Sequence, residues 1–427
     1  MIANTLGTPL YQHNEEHDKK SNRDIALLAL LLFAILRPIC SIDFPTVTNI
    51  SFLRLNEYFN LVFSYLALIV VLLRIRLIKW NIVDLFFLLI ISYSIISLTW
   101  GSNIREMSKV IFPMFIYFLA RSSRISIVDT YKVLFVLVVV FSFPMIFNAL
   151  LIVGNYGSRG IGYWTGIERF QGIYGGPHTL AHESLIYIFL VVFMMYLMQL
   201  AKVKFDKKWI YFFLVVIVLA LFNVYKSYTR TVYFGLTLFA IIFLIGNKKY
   251  LFVTIISLIA FIFIAQSEAF RTLFFDVIQP LEGTQEIEEM GSGRIGIWKN
   301  NFNIFFDKPD RWLIGLGIGM EVLGNRNYFG ASHNDILSIL ISLGLVGLLL
   351  YLLVKFTFFL IVMTSPVDKK LKIFICSFIL SVFLMNLLSN SYLNRFPLAQ
   401  YNYLIMGLML NILDSLQNHN TQKLENS

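Results

Sequence analysis

Two cysteines and a charged fraction of 14% are all that 427 residues supply, and both shortages exclude something. Cys40 and Cys376 each sit in an apolar stretch. No disulfide framework or cysteine metal cluster can be built from them, and they read as small buried hydrophobes. Soluble domains carry roughly 25% charged residues, so the shortage excludes an ordinary soluble enzyme and a disordered scaffold. Negative charge is the scarcer sign, with 25 acidic residues against 35 basic ones and a formal net charge of +10. In a soluble protein that excess would raise nucleic acid as a partner. In a membrane protein it is explained by topology, because Lys and Arg are held on the cytoplasmic side. No nucleic-acid partner is expected.

What the chain has is apolar sequence, 58% of it, or about 248 residues. That is close to what 12 spans of roughly 20 residues consume, and the mean hydropathy of +0.73 agrees. Apolar runs lie at 25–42, 58–73, 82–100, 107–120, 130–152, 183–201, 209–225, 231–246, 250–266, 335–362, 372–390 and 398–414, the fourth short and interrupted by Pro113. None alternates with the period of a strand. Lipid cannot satisfy exposed backbone groups, so each is expected to cross as a helix. The first run has no small-residue cleavage site, so it reads as a retained span and not a signal peptide. The expected fold is all-α: a polytopic helical membrane protein of about 12 transmembrane helices. A cytoplasmic tail at 1–23, an integral domain at 24–415 and a second cytoplasmic tail at 416–427 make up the chain.

The short loops set the orientation. Lys19, Lys20 and Arg23 precede the first run, and Arg74, Arg76 and Lys79 follow the second. Arg121 and Arg124 follow the fourth, Lys202, Lys204, Lys207 and Lys208 the sixth, Lys248 and Lys249 the eighth, and Lys369, Lys370 and Lys372 the tenth. All fall on one side if there are 12 spans and the N-terminus is inside, which makes both termini cytoplasmic. Two long segments, about 154–181 and 267–332, are then external, and loops of that length are usually functional or disordered.

In the second, Gln279–Glu289 is acidic but lacks the Asp/Asn/Gly spacing of a calcium loop, so a solvated face is favoured over a cation site. Arg294 follows Gly291-Ser292-Gly293 and opens a stripe of Ile295, Trp298, Phe302 and Phe305 at helical spacing. A cation at a helix start gains nothing from the helix dipole and invites an anionic partner. The loop closes on Ser332-His333-Asn334-Asp335. Ser332 and Asp335 have capping-box spacing, which predicts His333 in the first turn of the next helix, where it stays neutral and fit to act as a general base. Arg230 occupies a tight external turn between two apolar runs, where it either snorkels or meets a ligand. In the first loop, Arg169 precedes a Gly- and Pro-containing stretch that ends in His178, His182 and Glu183. The two histidines share a helix face at i, i+4, and lining a polar external cavity is favoured over binding a metal.

His333-Asn334, nine residues, Gly344, two residues and Gly347 resemble the H-N-x9-G-x-x-G signature of the O-antigen ligase and polymerase superfamily. Arg294, the Pro309–Gly319 stretch, the Thr229-Arg230-Thr231 turn and the Gly172–Ala181 segment fall in the family order, with Phe234 where ligases more often have Leu. The resemblance is close over 169–353. It implies a GT-C-like glycosyltransferase at the periplasmic face of the bacterial inner membrane, using no metal and no nucleotide sugar. The donor would be an undecaprenyl-diphosphate-linked glycan and the acceptor lipid A-core or another lipid-linked glycan, with membrane lipids as surroundings. Arg230 and Arg294 would hold the diphosphate, and His333 would take the acceptor proton. Asn334 would orient His333 or the acceptor, while Arg169, His178, His182 and Glu183 would line the substrate cavity. Gly344 and Gly347 would let the tenth span pack closely on a neighbour. Ligase and polymerase differ only in acceptor, which the sequence leaves open. A 12-span polysaccharide or lipid-linked glycan transporter is the alternative.

Overall fold

The computed structural model describes residues 25–43, 55–156, 158–161, 168–204, 206–252, 293–320, 332–389, 393 and 395–425. The N-terminal tail, most of the ninth apolar run, the acidic 282–289 segment and residues 321–331 lie outside the described residues. The other eleven runs coincide with helices: α1 (Ile25–Cys40), α2 (Leu55–Arg74), α3 (Ile82–Ile96), α4 (Ile104–Ser123), α5 (Ile127–Val153), α6 (Pro177–Leu200), α7 (Lys207–Ser227), α8 (Arg230–Gly246), α10 (Asp335–Thr364), α11 (Lys369–Leu388) and α12 (Phe396–Glu425). A further helix, α9 (Arg294–Phe306), lies in the second long loop. Seven of these, α2, α3, α5, α6, α7, α10 and α11, are long and apolar enough to cross a membrane, and α1 and α8 are shorter apolar helices. The chain is a multi-pass helical membrane protein.

Local signals set the helix starts. Asn81 accepts from Val83 N and Asp84 N, while Asp84 accepts from Asn81 N at 2.9 Å, a reciprocal capping box that opens α3. Asn103 accepts from the backbone of Arg105 and Glu106, so α4 begins before the short apolar run and carries Pro113 in its interior. Among the seven, α6 is the most enclosed, 83% of its apolar window being buried against 33% for α2 and α7. It is the axis around which α5, α7 and α12 pack. The residues at its start are therefore placed inside the bundle.

A small antiparallel hairpin, β1 (Ser158–Ile161) and β2 (Glu168–Gly172), departs from the all-α expectation. Its strands are too short for an alternating pattern to show in sequence. Gly172 ends it at φ 63°, and a Cβ there would stand 1.8 Å from Asn148 Oδ1. Asn148, on α5, accepts from Ile173 N at 3.0 Å and donates to Pro144 O at 2.8 Å, which docks the hairpin on the bundle.

At the end of α3 and α4 opposite the second long loop, Arg121 is buried rather than free. Its guanidinium reaches both Asp84 oxygens at 3.1 Å and Asp414 Oδ2 at 2.7 Å, and Tyr117 donates to Asp84 at 2.5 Å. Arg121 thus joins α3, α4 and α12 by ion pairs as well as contributing to the positive cluster. Removing one partner of a buried pair strands the other charge. Arg121→Met is expected to destabilise the detergent-solubilised protein by about 3–5 kcal/mol, read as a lowered melting temperature.

Candidate functional site

The 30 residues of α10 are two helical arms meeting at Gly344, whose φ 67°, ψ −168° lies in a region open only to glycine. The arms fold back on each other. Asn386, with its amide nitrogen turned toward α10, donates to Asp335 Oδ2 at 3.0 Å while its carbonyl accepts from the Tyr351 hydroxyl at 2.7 Å. Sixteen residues of straight helix would separate Asp335 and Tyr351 by about 24 Å. The loop at 312–317 completes the elbow by serving the backbone groups that the bend leaves orphaned. Leu345 N and Val346 N donate to the carbonyls of Trp312 and Leu313, and Leu316 N and Gly317 N donate to those of Ile341 and Ser342. A Cβ on Gly344 would stand 2.3 Å from Leu313 O, and one on Gly347 would stand 2.1 Å from Leu343 Cβ. The two glycines therefore make and close an elbow within α10, which is a correction to the expectation of packing on a neighbouring span.

His333 and Asn334 sit at the inner end of the first arm. Asn334, not Ser332, is the cap: its Oδ1 accepts from Leu337 N at 3.0 Å. Ser332 is engaged elsewhere, its carbonyl accepting from Trp298 Nε1 at 2.6 Å and its hydroxyl from Asn301 Nδ2 at 3.3 Å. His333 consequently lies just before the helix, at φ 50°, and not in its first turn. The same two bonds tie it to α9, which Arg294 opens, with Trp298 one turn beyond.

The arginines converge at the turn between α7 and α8. Tyr228 ends α7 in the left-handed region, and Arg230 begins α8. Arg169, on β2, donates through Nε to Ser227 O and through Nη2 to Thr229 Oγ1, both at 3.0 Å, locking that turn. Burial, then the charge of Arg230 and that of Arg294, push the Arg169 guanidinium down to about 10. Among the described residues, no carboxylate is one of the groups that act on it. Arg294 also donates to Leu388 O at 2.6 Å, anchoring α9 to the end of α11.

His178 and His182 face the same charges, as their spacing predicts. Arg395 and Arg294 act on both, and Arg169 acts on His178. Such cationic surroundings suit an anion and oppose a divalent metal. Glu183 stands apart from Arg169, Arg230 and Arg294. Fully buried, it neighbours Arg37, Tyr174 and Tyr401, and Arg37 in turn donates to Asn60 at 3.1 Å and Asn56 at 2.8 Å.

Sequence reasoning missed Arg395 and took Asp335 only for a capping residue. The two attract each other at the inner end of the elbow, where burial lowers the Arg395 pKa and Asp335 partly restores it. Arg395 lies in the short segment between α11 and α12, which the loop arithmetic put on the same side as Arg230. That was an available signal. Lys355, on the second arm, lies over the rings of Tyr351 and Tyr403 at 5.6 and 5.7 Å and is also attracted to Asp335. A cation in the interior of a span marks something it must neutralise, and here the group is Asp335.

Gly344→Ala is expected to cost about 1–3 kcal/mol from backbone conformation alone, with the Leu313 contact adding to it. The check is a melting temperature below that of the wild type, accompanied by increased protease cleavage near residue 333. A search of the curated proteins returns no match. The family model described as O-antigen ligase matches residues 215–352, a stretch that holds Arg230, Arg294, His333, Asn334 and both glycines of the elbow, so over that stretch the chain is similar to this family.

Proposed function

We propose that the protein transfers a glycan from undecaprenyl diphosphate to an acceptor hydroxyl at the periplasmic face of the bacterial inner membrane, acting as an O-antigen ligase or polymerase. The observation that carries this reading is the gathering of Arg169, Arg230 and Arg294, with no carboxylate among the described residues acting on Arg169, beside the segment that holds His333. Arg169 carries the repulsion of two neighbouring guanidinium groups, and a diphosphate has the charge and the acceptor oxygens to bridge such a group of cations.

In this reading Arg230 and Arg294 bind the diphosphate, with Arg169 holding the turn and adding a third charge. The acceptor oxygen attacks the anomeric carbon from the face opposite the leaving group, so configuration inverts. As the bond to the diphosphate oxygen breaks, negative charge grows on that oxygen, where fixed cations stabilise it. His333 takes the hydroxyl proton as the new glycosidic bond forms, and Asn334 orients the histidine or the acceptor. His178 and His182 line the substrate cavity, with Arg395 acting on both. Glu183 supports it from behind through Arg37. Twelve spans with both termini cytoplasmic put this end of the bundle in the periplasm. A transporter is not favoured, because the arginines and histidines converge at one end of the bundle instead of lining a path through it.

The test is genetic. A deletion strain is complemented with wild type, His333→Ala, Arg230→Ala or Arg294→Ala, and its surface glycolipid is resolved on a gel. Each variant is expected to reach the membrane and to lose transfer. Missing O-chain marks a ligase, and core bearing one repeat unit marks a polymerase. A normal ladder from His333→Ala would remove its catalytic role. Binding has its own readout. Undecaprenyl diphosphate at about 100 times its Kd is expected to stabilise the wild-type protein by about 2.7 kcal/mol, and Arg230→Ala is expected to lose most of the accompanying rise in melting temperature.

A further inference from the structure

The seam between α10 and α11 changes character along its length. At the end away from the elbow the two helices touch. Lys372 Nζ donates to Met363 O at 2.7 Å, and Cys376 Sγ lies 3.3 Å from Met363 Sδ. Towards the middle of the spans they part, and a groove of about 450 Å³ opens between them. Its walls include Leu349, Phe356 and Phe359 on α10 and Ile379, Leu380 and Phe383 on α11. Leu349, Phe356 and Leu380 are exposed, so the groove opens outward, onto the surface that faces lipid. Lys355 also borders it, but its ammonium lies over the rings of Tyr351 and Tyr403 and is attracted to Asp335.

Charge of one sign lies at the mouth of this groove. Lys369 and Lys372 share the face of α11 that carries Cys376, Ile379 and Phe383, at steps of three and four. Gly246, which ends α8, packs on Ile373, where a Cβ would stand 2.6 Å from Ile373 Cγ2. That contact brings Lys248 and Lys249 to the same end as Lys370. Among the described residues none of these five lysines forms an ion pair. The acids of this end are committed or outnumbered. Asp84 and Asp414 hold Arg121, and Asp129 holds Lys132. Asp206 lies among Lys204, Lys207 and Lys208, and Asp368 is the one acid beside the five.

The depth of the groove fits a lipid chain. Eleven residues separate Lys369 from Leu380, about 16 Å along a helix. Half of the hydrocarbon core is about 15 Å. An acyl chain descending from a headgroup at Lys369 therefore reaches the groove. Lysines that only set topology need no such groove above them.

We propose that this seam binds an anionic phospholipid of the leaflet opposite the arginine cluster, which is the cytoplasmic leaflet on the twelve-span reading. Lys369 and Lys372 hold its phosphate, Lys370, Lys248 and Lys249 add to the field, and one acyl chain lies in the groove. Binding there does not depend on the reaction at the other end of the bundle. It bears on that end through α11, whose Asn386 donates to Asp335 and whose Leu388 carbonyl accepts from Arg294. A lipid that splints the seam also steadies these two anchors.

Native mass spectrometry of the full chain in detergent reads the site directly, with palmitoyl-oleoyl phosphatidylglycerol as the probe. Wild type is expected to bind one such lipid and to prefer it about tenfold to phosphatidylcholine with the same chains. Lys369→Gln combined with Lys370→Gln is expected to bind it about twentyfold more weakly, each lysine near an anionic surface being worth about fivefold. Lys369→Arg combined with Lys370→Arg is expected to bind as wild type does. Leu380→Trp fills the groove and is expected to weaken binding about tenfold with every lysine in place. Equal affinity for the two lipids, or undiminished binding by the glutamine variant, would overturn the headgroup site. Unchanged binding by Leu380→Trp would overturn the groove and leave a positive surface that only sets topology. Displacement of the lipid by an equal concentration of glycerol phosphate would overturn the assignment to an amphiphile.

Discussion

The bend at Gly344 governs the rest of the site. A helix that ran straight from Asp335 would hold His333 about 24 Å from Tyr351 or further. Folded back, the first arm buries Asp335, within reach of Asn386 and Arg395, and sets His333 and Asn334 just before it. The bend survives because the 312–317 loop gives hydrogen-bond partners to both broken helix ends. In a bundle surrounded by lipid those groups have no water to turn to, so the loop and the elbow are one unit.

Electrostatics divides the molecule into two ends. At one, Arg121 is neutralised by Asp84 and Asp414, and the result is a rigid join of three helices. At the other, Arg169 donates to a backbone and a hydroxyl oxygen, Arg294 to a backbone oxygen, and Arg395 is attracted to Asp335. Burial first, and then the charges of Arg230 and Arg294, lower the Arg169 pKa, a free-energy cost of charging that an anion would relieve.

Much of this was legible in the sequence. Apolar runs gave eleven helices, since a span must satisfy its own backbone, and the i, i+4 spacing of His178 and His182 put both toward the same arginines. Arg294 does open a helix, and Arg230 does sit in a tight turn. The elbow was not legible, because one glycine in an apolar run is compatible with a straight helix, and only the backbone partners supplied by a loop 30 residues earlier decide the matter. The cap at Asn334 was missed for a related reason: Ser332 has the right spacing, but Trp298 and Asn301 claim it through tertiary contacts. The hairpin escaped notice because four or five residues are too few to display a period. Arg395 was overlooked although its loop lies on the informative side.

The order in which the parts leave the ribosome follows from where they lie in the chain. Arg169 and its turn are complete once α8 has been made, but His333 comes about a hundred residues later, and Arg395 and Asp414 later still. A nascent chain halted after α8 has neither the Asp335–Arg395 pair nor the second acid on Arg121. Insertion of α12 therefore closes both ends of the bundle at once, so that synthesis of the last helix is also the step that completes the site.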